Sequence, residues 1–352
     1  LPASDDSPRG LSVHDFDARV SALTHASCAF MQQLGVWPLV PAGRICPFQT
    51  MQVWDARGSA RINFQAADIG EKQLGNIVEN SVLAAALRQR LQAQSAVQLH
   101  HGSAVAAATC EPSGATVELE SGRTLEAKLL VAADGANSPL RQRMDMPVRG
   151  WDYLQDAIVC TVKTASDHQH TAWQVFTDDG PLAFLPLTNT QANAANAGSL
   201  CSIVWSQSRE RAQLLMNMDD AEFARALTLA FEGRLGEVEE VSRRFSFPLT
   251  QQHAIDYVQN SFALIADAAH SLHPLAGQGL NLGIADAKSL SGRIFDAIEA
   301  GCPVNDMKYL KRYQRERKTD NLAMLAAVEG FHRLYQRDLP LTLRWLRNEG
   351  MR

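Results

Sequence analysis

The sequence is poor in the features that mark disulfide-rich, membrane-spanning and nucleic-acid-binding proteins. Its 352 residues include six cysteines, scattered without a Cys-x-x-Cys pair, so we expect reduced thiols and no disulfide framework. No apolar run approaches the ~20 residues of a membrane span, and no signal-peptide pattern is present. The net charge is −5, whereas a nucleic-acid partner requires a basic face. These absences predict a cytoplasmic protein that binds no nucleic acid.

Two pairs of histidines are the features closest to a metal-site pattern. His168 and His170 form one close pair, and His270 and His273 form the other. Neither pair is joined by a cysteine or a carboxylate at the spacing that zinc sites require. The sequence therefore predicts no metal.

Helix and strand patterns in residues 1–150 predict an α/β layer. Apolar spacing predicts a helix from Arg19 to Gly35, and a second helix begins at Asn80 or Ser81. A hairpin precedes a buried strand over residues 128–133.

The middle of the chain has a different pattern. Short alternating runs with aromatic residues predict an antiparallel sheet over residues 151–250, interrupted by one helix over 219–231. Residues 251–305 return to a strand followed by a helix, and a long charged helix covers residues 306–336. The sequence thus predicts an α/β layer that is interrupted by a β-rich insertion and then resumed.

The densest turn chemistry lies in Phe262–Leu290, which reads FALIADAAHSLHPLAGQGLNLGIADAKSL. Asp267 follows a buried strand, where its carboxylate can accept hydrogen bonds from sugar hydroxyls. Gly277 and Gly279 let the backbone approach a planar ligand, and Pro274 fixes the entry to the loop. The helix that begins near Gly279 has free N–H groups that stabilise negative charge. The alternative is an ordinary strand-to-helix loop in which Asp267 is a cap.

A second stretch, LLVAADGANSPLRQRM, repeats this arrangement. A buried strand leads to Asp134 and Gly135, and a turn of small residues follows, with Ser138 and Arg141 after it. Alone, this stretch is also compatible with a capped turn. Two such turns, one on each side of the β-rich insertion, favour a shared polyhydroxyl or phosphorylated ligand.

Together the two stretches resemble the flavoprotein aromatic hydroxylases of the p-hydroxybenzoate hydroxylase fold. ADGANSPLR is similar to their Asp-Gly motif, which contacts FAD and the nicotinamide cofactor. ADAAHSLHPLAGQGLNLG is similar to their Gly-Asp motif, whose aspartate binds the flavin ribityl chain. RVSAL, VEN, AFLPL and HPLAGQGLNLG occur in the order seen in the ubiquinone-biosynthesis hydroxylases, which oxidise polyprenylated phenols. The resemblance runs from Arg19 to Arg352.

The resemblance implies an α/β fold in which an FAD-binding, Rossmann-like layer of the glutathione-reductase type carries an inserted antiparallel β-sheet substrate domain. Residues 1–150 would form the first part of the FAD-binding domain and residues 151–250 the β-rich substrate domain. Residues 251–305 would be the return segment of the FAD-binding domain, and residues 306–352 a C-terminal helical region.

The resemblance also implies roles for individual residues. The FAD-binding residues would be Arg19, Asn80, Asp134, Gly135, Arg141, Asp267, Gly277, Gly279 and Asn281. The catalytic positions would be Pro274, whose carbonyl region would face the substrate hydroxyl, and the helix start at Gly279, Leu280 and Asn281, which would stabilise negative charge on the flavin. The apolar substrate wall would include Trp173, Phe184, Leu185 and Pro186, for which ordinary core packing is the alternative.

Two departures from the family pattern bear on FAD affinity. Ala266 stands where the family has glycine before the aspartate, which costs on the order of 1 kcal/mol if the backbone φ there is positive. The family also begins with a strand, a Gly-x-Gly-x-x-Gly turn, a helix and a second strand. That first βαβ unit does not precede Leu1, so we expect this chain to lack it and to hold FAD poorly.

The implied activity is that of a flavin-dependent monooxygenase, in which NAD(P)H reduces FAD and O2 supplies the oxygen atom placed on a phenol ring. Two alternatives stay open: a hydroxylase of a soluble aromatic acid, and a non-catalytic scaffold subunit of a quinone-biosynthesis assembly that has lost FAD binding. From Lys308 onward, eleven Lys and Arg oppose five Asp and Glu. This basic region suits a membrane surface that carries a lipidic phenol, and a solvated helix is the alternative.

Overall fold

The computed structural model describes residues 12–58, 61–188, 198–271 and 277–334. Within them the strands are β1 (Val20–Leu23), β2 (Ile45–Phe48), β3 (Thr50–Asp55), β4 (Arg61–Gln65), β5 (Gly75–Glu79), β6 (Val105–Glu111), β7 (Gly114–Leu119), β8 (Thr124–Ala127), β9 (Leu130–Ala132), β10 (Val148–Thr164), β11 (Thr171–Phe176), β12 (Pro181–Pro186), β13 (Leu200–Ser208), β14 (Val238–Val241), β15 (Phe245–Ala254), β16 (Val258–Gln259), β17 (Phe262–Leu264) and β18 (His270–Ser271). The α-helices are α1 (His25–Gln33), α2 (Asn80–Gln92), α3 (Pro139–Arg143), α4 (Arg209–Asn217), α5 (Asp220–Ala230), α6 (Gly279–Glu299) and α7 (Met307–Leu334). None of these described helices combines the length and the apolar character that crossing a membrane would demand.

The described residues form two compact units that the chain visits alternately. The β-rich unit contains residues 12–91 and 154–249, and the α/β unit contains residues 92–153 and 250–331. The chain passes between the units near the end of α2 and within the long strands β10 and β15. Residues 12–91 thus group with the β-rich segment, although the family resemblance assigned residues 1–150 to the FAD-binding layer. The predicted division of the chain into FAD-binding, substrate and C-terminal segments stays a prediction.

The β-rich unit is built on a mixed sheet. Its strands follow the order β10-β13-β12-β11-β3-β4, and β1, β5 and β2 form a second, antiparallel sheet. The expected antiparallel pairing holds across β10, β13, β12 and β11. β3 then joins β11 in parallel, with Thr50 opposite Thr171. The sequence missed this pairing because β3 lies far upstream of the segment whose alternation predicted the sheet.

Helix α5 covers the main core of the β-rich unit. Asp219 accepts a hydrogen bond from the Glu222 amide and caps the helix, as the predicted bounds of 219–231 require. Phe231, at its end, stacks on Phe184 with 3.8 Å between ring centroids. Leu227 is fully buried in the same cluster. The core therefore lies between α5 and the face of β12 that carries Phe184.

The α/β unit has a small parallel pairing at its centre. β9 and β17 pair in parallel, with Leu130 opposite Phe262, and β16 adds an antiparallel third strand. β6, β7 and β8 form a separate antiparallel sheet, which confirms the predicted hairpin. Helix α7 packs on β17, where the Tyr313 hydroxyl donates to the Leu264 carbonyl oxygen at 2.7 Å. The expected absence of a first βαβ unit stays a prediction.

The predicted helix from Arg19 to Gly35 is wrong in its first six residues. Residues 20–23 form β1, which pairs with β5, and the Thr24 side chain accepts a hydrogen bond from the Ser27 amide at the start of α1. Ser27 and Met31 are the buried residues of α1. A short strand before a helix cap offers too few residues for its period to be distinguished. Gly35 ends the helix with φ +69°, as predicted.

Two leucines of α5 offer a matched test of this core. Leu227 is 0% exposed and Leu229 is 79% exposed. We expect Leu227→Ala to lower the free energy of unfolding by about 2–5 kcal/mol, because it leaves a cavity. Leu229→Ala should change it by less than about 0.5 kcal/mol. Urea denaturation of both variants measures the difference, and equal losses would contradict the described core.

Candidate functional site

The two aspartate-bearing turns leave the same edge of the parallel pair. β9 ends at Ala132 and β17 ends at Leu264, and these two residues are opposite each other in the register. The Ile265 amide continues the pairing by donating to the Ala132 carbonyl oxygen at 3.1 Å. Asp134 follows two residues after β9 and Asp267 three residues after β17. The structure therefore brings the two predicted turns together, at the strand ends where α/β folds bind ligands.

The first turn is closed by its own side chains. The Asp134 carboxylate accepts hydrogen bonds from the Ser138 hydroxyl at 2.5 Å and from the Leu140 amide at 3.1 Å. Gly135 has φ +89°, and a Cβ added there would meet nothing within 4 Å. Asp134 thus acts as a cap for α3, and the backbone beside it faces open space that a ligand could occupy.

Arg141 joins the first turn to the second. Its Nη1 donates to the Ala268 carbonyl oxygen at 2.8 Å and its Nη2 to the Ala136 carbonyl oxygen at 2.9 Å. Burial lowers the pKa of the guanidinium, which the charge of Asp134 partly offsets. Both nitrogen atoms that would meet a phosphate are therefore engaged with backbone. Arg141 therefore links the two turns through hydrogen bonds to their backbone. Its contact with FAD stays a prediction.

The second turn leaves its aspartate open. Asp267 is exposed, and no described residue donates a hydrogen bond to its carboxylate. The preceding Ala266 has φ +53°, so the positive-φ case considered from the sequence applies, and the methyl group stands in a conformation that favours glycine. A carboxylate that no protein donor engages, at the end of a parallel strand, is suited to ligand hydroxyls.

Helix α6 begins at Gly279. Gly277 has φ +58°, and a Cβ added at Gly279 would meet no atom of the described residues within 4 Å. Leu280 is half-buried, and Asn281 is buried with its Nδ2 donating to the Gln278 Oε1 at 3.2 Å. The first amides of a helix lack partners within the helix and favour negative charge. Pro274, predicted to face the substrate, lies outside the described residues, and so does His273.

Together, these features fit FAD. The Asp267 carboxylate would accept hydrogen bonds from ribityl hydroxyls, and the amides at the start of α6 would donate to an electron-rich ring edge. Gly135 and Gly279 leave space for close approach of a planar group.

Two further predicted cofactor residues lie next to each other in the β-rich unit. The Asn80 amide donates to the Arg19 carbonyl oxygen at 3.0 Å, and the Ser21 hydroxyl donates to the Asn80 Oδ1 at 2.7 Å. Arg19 is exposed, with its guanidinium 5.7 Å from the centre of the Phe247 ring. The structure thus places the backbone of Arg19 beside the start of α2, while its guanidinium lies near Phe247.

Sequence reasoning missed the carboxylate that organises this corner. Glu79 is 1% exposed and accepts hydrogen bonds from the Asp17 amide at 2.7 Å and from Arg44 Nη2 at 3.2 Å. Burial raises the pKa of Glu79, although the Asp17 amide and Arg44 act in the opposite direction. The glutamate of VEN could have indicated this cluster, because a charged residue in an otherwise buried strand requires partners.

The predicted wall residues lie on both faces of one sheet. Trp173 is opposite Phe184 in the register of β11 and β12, and both pack in the cluster that contains Phe231. Leu185 packs in a different cluster, because neighbouring residues of a strand face opposite sides. Pro186 is buried at the end of β12. Phe184 is fully buried, so core packing accounts for it, and the substrate-wall role of all four stays a prediction.

A buried polar cluster behind the second turn was also missed. Asp286 of α6 is 0% exposed. Its Oδ2 accepts from the Ala266 amide at 2.9 Å and from His270 Nε2 at 2.5 Å. Its Oδ1 accepts from Arg317 Nε at 2.9 Å and from Asn321 Nδ2 at 3.2 Å. An aspartate within the apolar stripe of α6 was the available signal, since a buried charge must be paired.

Comparisons with known proteins point to an FAD-binding family. A sequence profile described as "FAD binding domain" matches residues 17–327. The chain is 38% identical over 335 residues to 3-demethoxyubiquinol 3-hydroxylase of Escherichia coli, covering 95% of this chain and 83% of the relative. It is 32% identical to ubiquinone biosynthesis monooxygenase COQ6 of Homo sapiens, covering 96% and 78%.

Solved structures show the same fold. PqsL, a probable FAD-dependent monooxygenase from Pseudomonas aeruginosa, superposes with a TM-score of 0.75 and 22% identity over 95% of this chain and 89% of that one. HpxO of Klebsiella pneumoniae, solved with FAD and uric acid, superposes with a TM-score of 0.68 and 15% identity over 94% and 83%. The α/β fold of FAD-binding monooxygenases, with its mixed and antiparallel sheets, is therefore that of this chain.

The strained backbone at Ala266 can be tested together with Gly283 of α6. A Cβ added at Gly283 would lie 2.7 Å from the Ala266 Cβ. We expect Ala266→Gly to raise the free energy of unfolding by about 1 kcal/mol by relieving the positive φ. Gly283→Ala should lower it by about 1–3 kcal/mol through overpacking, and adding Ala266→Gly should reverse most of that loss.

Gly292 provides the control for this pair. It lies in the same helix, and a Cβ added there would meet nothing within 4 Å. Gly292→Ala should therefore gain up to about 1 kcal/mol, as is usual within a helix. Urea denaturation of the single and double variants measures the coupling. Independent, additive effects of the 266 and 283 substitutions would contradict the described contact.

The charge of Asp286 should appear in the pH dependence of stability. Burial raises its pKa, but His270, Arg317 and the Ala266 amide outweigh burial, so that the folded pKa is lowered. The stabilisation is therefore present above the unfolded pKa of about 3.9 and is lost as the pH falls through the lower folded value. Asp286→Asn should cost about 3–5 kcal/mol near neutral pH, because it removes the buried charge partner of Arg317, which keeps only the largely exposed Asp320.

Unfolding measured between neutral pH and about pH 3 checks this expectation. The gap in stability between wild type and Asp286→Asn should narrow toward acid. Asp296→Asn is the control, because Asp296 is a partly exposed residue of the same helix paired with Arg293. Its difference from wild type should stay below about 1 kcal/mol throughout. A constant gap for Asp286→Asn would show that its charge does not matter.

Proposed function

The chain belongs to the FAD binding domain family of flavin-dependent monooxygenases, and from this premise we propose that it hydroxylates the ring of a polyprenylated phenol in ubiquinone biosynthesis, with NAD(P)H as reductant. Relatives at 38% and 32% identity bear the names of ubiquinone-biosynthesis hydroxylases, and each alignment covers at least 95% of this chain. The observation that carries the proposal is the parallel pairing of β9 and β17, which sets the Asp134 and Asp267 turns side by side.

Each part of the site has a role in this proposal. Bound FAD supplies the redox chemistry with O2. Asp267 accepts hydrogen bonds from the ribityl hydroxyls, and the amides at the start of α6 stabilise negative charge on the ring edge. By the family resemblance alone, Arg19 and Asn80 would contact the phosphate-bearing arm and Pro274 would face the substrate hydroxyl, and these roles are part of the proposal. The protein's share of the work is orientation and electrostatic stabilisation.

The substrate class rests on the relatives. Their names place them in ubiquinone biosynthesis, and a lipidic phenol is the substrate class that such a role implies. The basic residues after Lys308 would suit contact with a membrane surface or with other proteins of a quinone-biosynthesis assembly. Contact with either partner is part of the proposal.

The complete gene product offers a direct test. We expect it to purify with a visible flavin absorption band and to oxidise NAD(P)H faster in the presence of a prenylated phenol, with a product one oxygen atom heavier by mass spectrometry. A soluble aromatic acid without the prenyl chain should give little product. A colourless protein that takes up no added FAD would favour the scaffold alternative, and turnover of the soluble acid alone would overturn the substrate class.

Asp267→Asn tests the cofactor contact itself. Removing a charged acceptor of hydroxyl hydrogen bonds should weaken FAD binding by about 10–100-fold, measured by the quenching of flavin fluorescence. Asp296→Asn is the matched control and should bind FAD as the wild type does. Unchanged affinity in Asp267→Asn would remove this residue from the site.

A further inference from the structure

We infer that Asp286 is a positioning residue for the FAD site: its buried carboxylate holds the turn from Ala266 to His270 in the shape that presents Asp267. This inference rests on the proposed function, which assigns Asp267 to FAD. It adds a residue that touches neither cofactor nor substrate and that acts through the backbone of the turn.

The backbone at Ala266 is strained. A non-glycine residue at φ +53° persists only when its surroundings hold it there. Two features of α6 do so. Asp286 Oδ2 accepts a hydrogen bond from the Ala266 amide at 2.9 Å. Gly283, which has no side chain, leaves the space that the Ala266 methyl group fills. The carboxylate thus fixes the direction of the amide immediately before Asp267.

Asp267 lies within the same turn. No described residue engages its carboxylate, so its direction depends on the backbone on either side. That backbone is held on one side by the Ala266 amide and on the other by His270, and both donate to the same Asp286 Oδ2. Arg141 holds the intervening Ala268 carbonyl oxygen. Asp267 is therefore an open group on a turn that is clamped on both sides.

Position 286 requires a carboxylate. Four donors converge on the two oxygen atoms, and the second oxygen is held by Arg317 and Asn321 of α7. Arg317 also donates to Asn321 Oδ1 at 3.0 Å, which fixes the orientation of both. An amide of the same shape would direct its NH2 group at two of these donors. Substituting Asn for Asp therefore keeps the volume and breaks the clamp.

Four variants test the inference. Asp286→Asn should weaken FAD binding at least about tenfold, and amide hydrogen exchange at Ala266 and Asp267 should quicken at least about tenfold, because the clamp is lost. Asp296→Asn, the same change on the exposed side of α6, should stay within about twofold of wild type in both measurements.

Rescue separates positioning from general stability. Glycine adopts φ +53° without strain, so Ala266→Gly in the Asp286→Asn background should recover at least half of the lost FAD affinity on a logarithmic scale. Gly292→Ala in the same background should raise the melting temperature without recovering affinity, because it stabilises α6 away from the turn.

Each outcome decides the inference. It stands if Asp286→Asn shows both effects and only Ala266→Gly restores binding. It is overturned if Asp286→Asn loses stability but keeps its FAD affinity and exchange rates, or if Gly292→Ala restores binding as well as Ala266→Gly does. A wild-type protein without FAD affinity would refute the proposed function and with it the role toward FAD. Hydrogen exchange would still show whether Asp286 holds the turn.

Discussion

The structure of the α/β unit depends on one ionised carboxylate that has no access to water. An isolated buried ion would cost several kcal/mol, and Asp286 is tolerable because four donors and the Arg317 charge surround it. Those donors come from the turn after β17, from β18 and from α7. One side chain of α6 therefore joins three other parts of the chain, and it does so through directional bonds that apolar packing could not supply.

Arg141 has the complementary role on the same turn. It is a buried cation that binds two backbone carbonyl oxygens, while Asp286 is a buried anion that binds a backbone amide and three side chains. Between them they hold the acceptor and the donor groups of residues 266–270. The open carboxylate of Asp267 is thus carried on backbone held from both sides, an arrangement suited to a ligand that must be held in one orientation.

Family motifs in the sequence predicted the family, the cofactor and the proximity of the two turns, because strand ends and glycine spacing are local features. Alternation predicted the antiparallel sheet, and the single helix predicted within it corresponds to α5, whereas α4 directly before it was missed. Long-range pairing was missed: β3 joins β11 across more than a hundred residues, and no local period encodes a partner. The clusters around Glu79 and Asp286 were missed for the same reason. Their donors come from separate parts of the chain, and only the folded backbone brings them together.

The central strand pair also has a consequence for synthesis on the ribosome. β9 ends at Ala132 and β17 begins at Phe262, so β9 emerges long before β17, its parallel partner among the described strands. At ~5–20 residues per second the delay is on the order of ten seconds. During that time the nascent strand has an unsatisfied edge, which is a template for pairing with other chains. Its three-residue length limits this hazard, and a chaperone that covers the exposed edge would have its greatest effect within that interval.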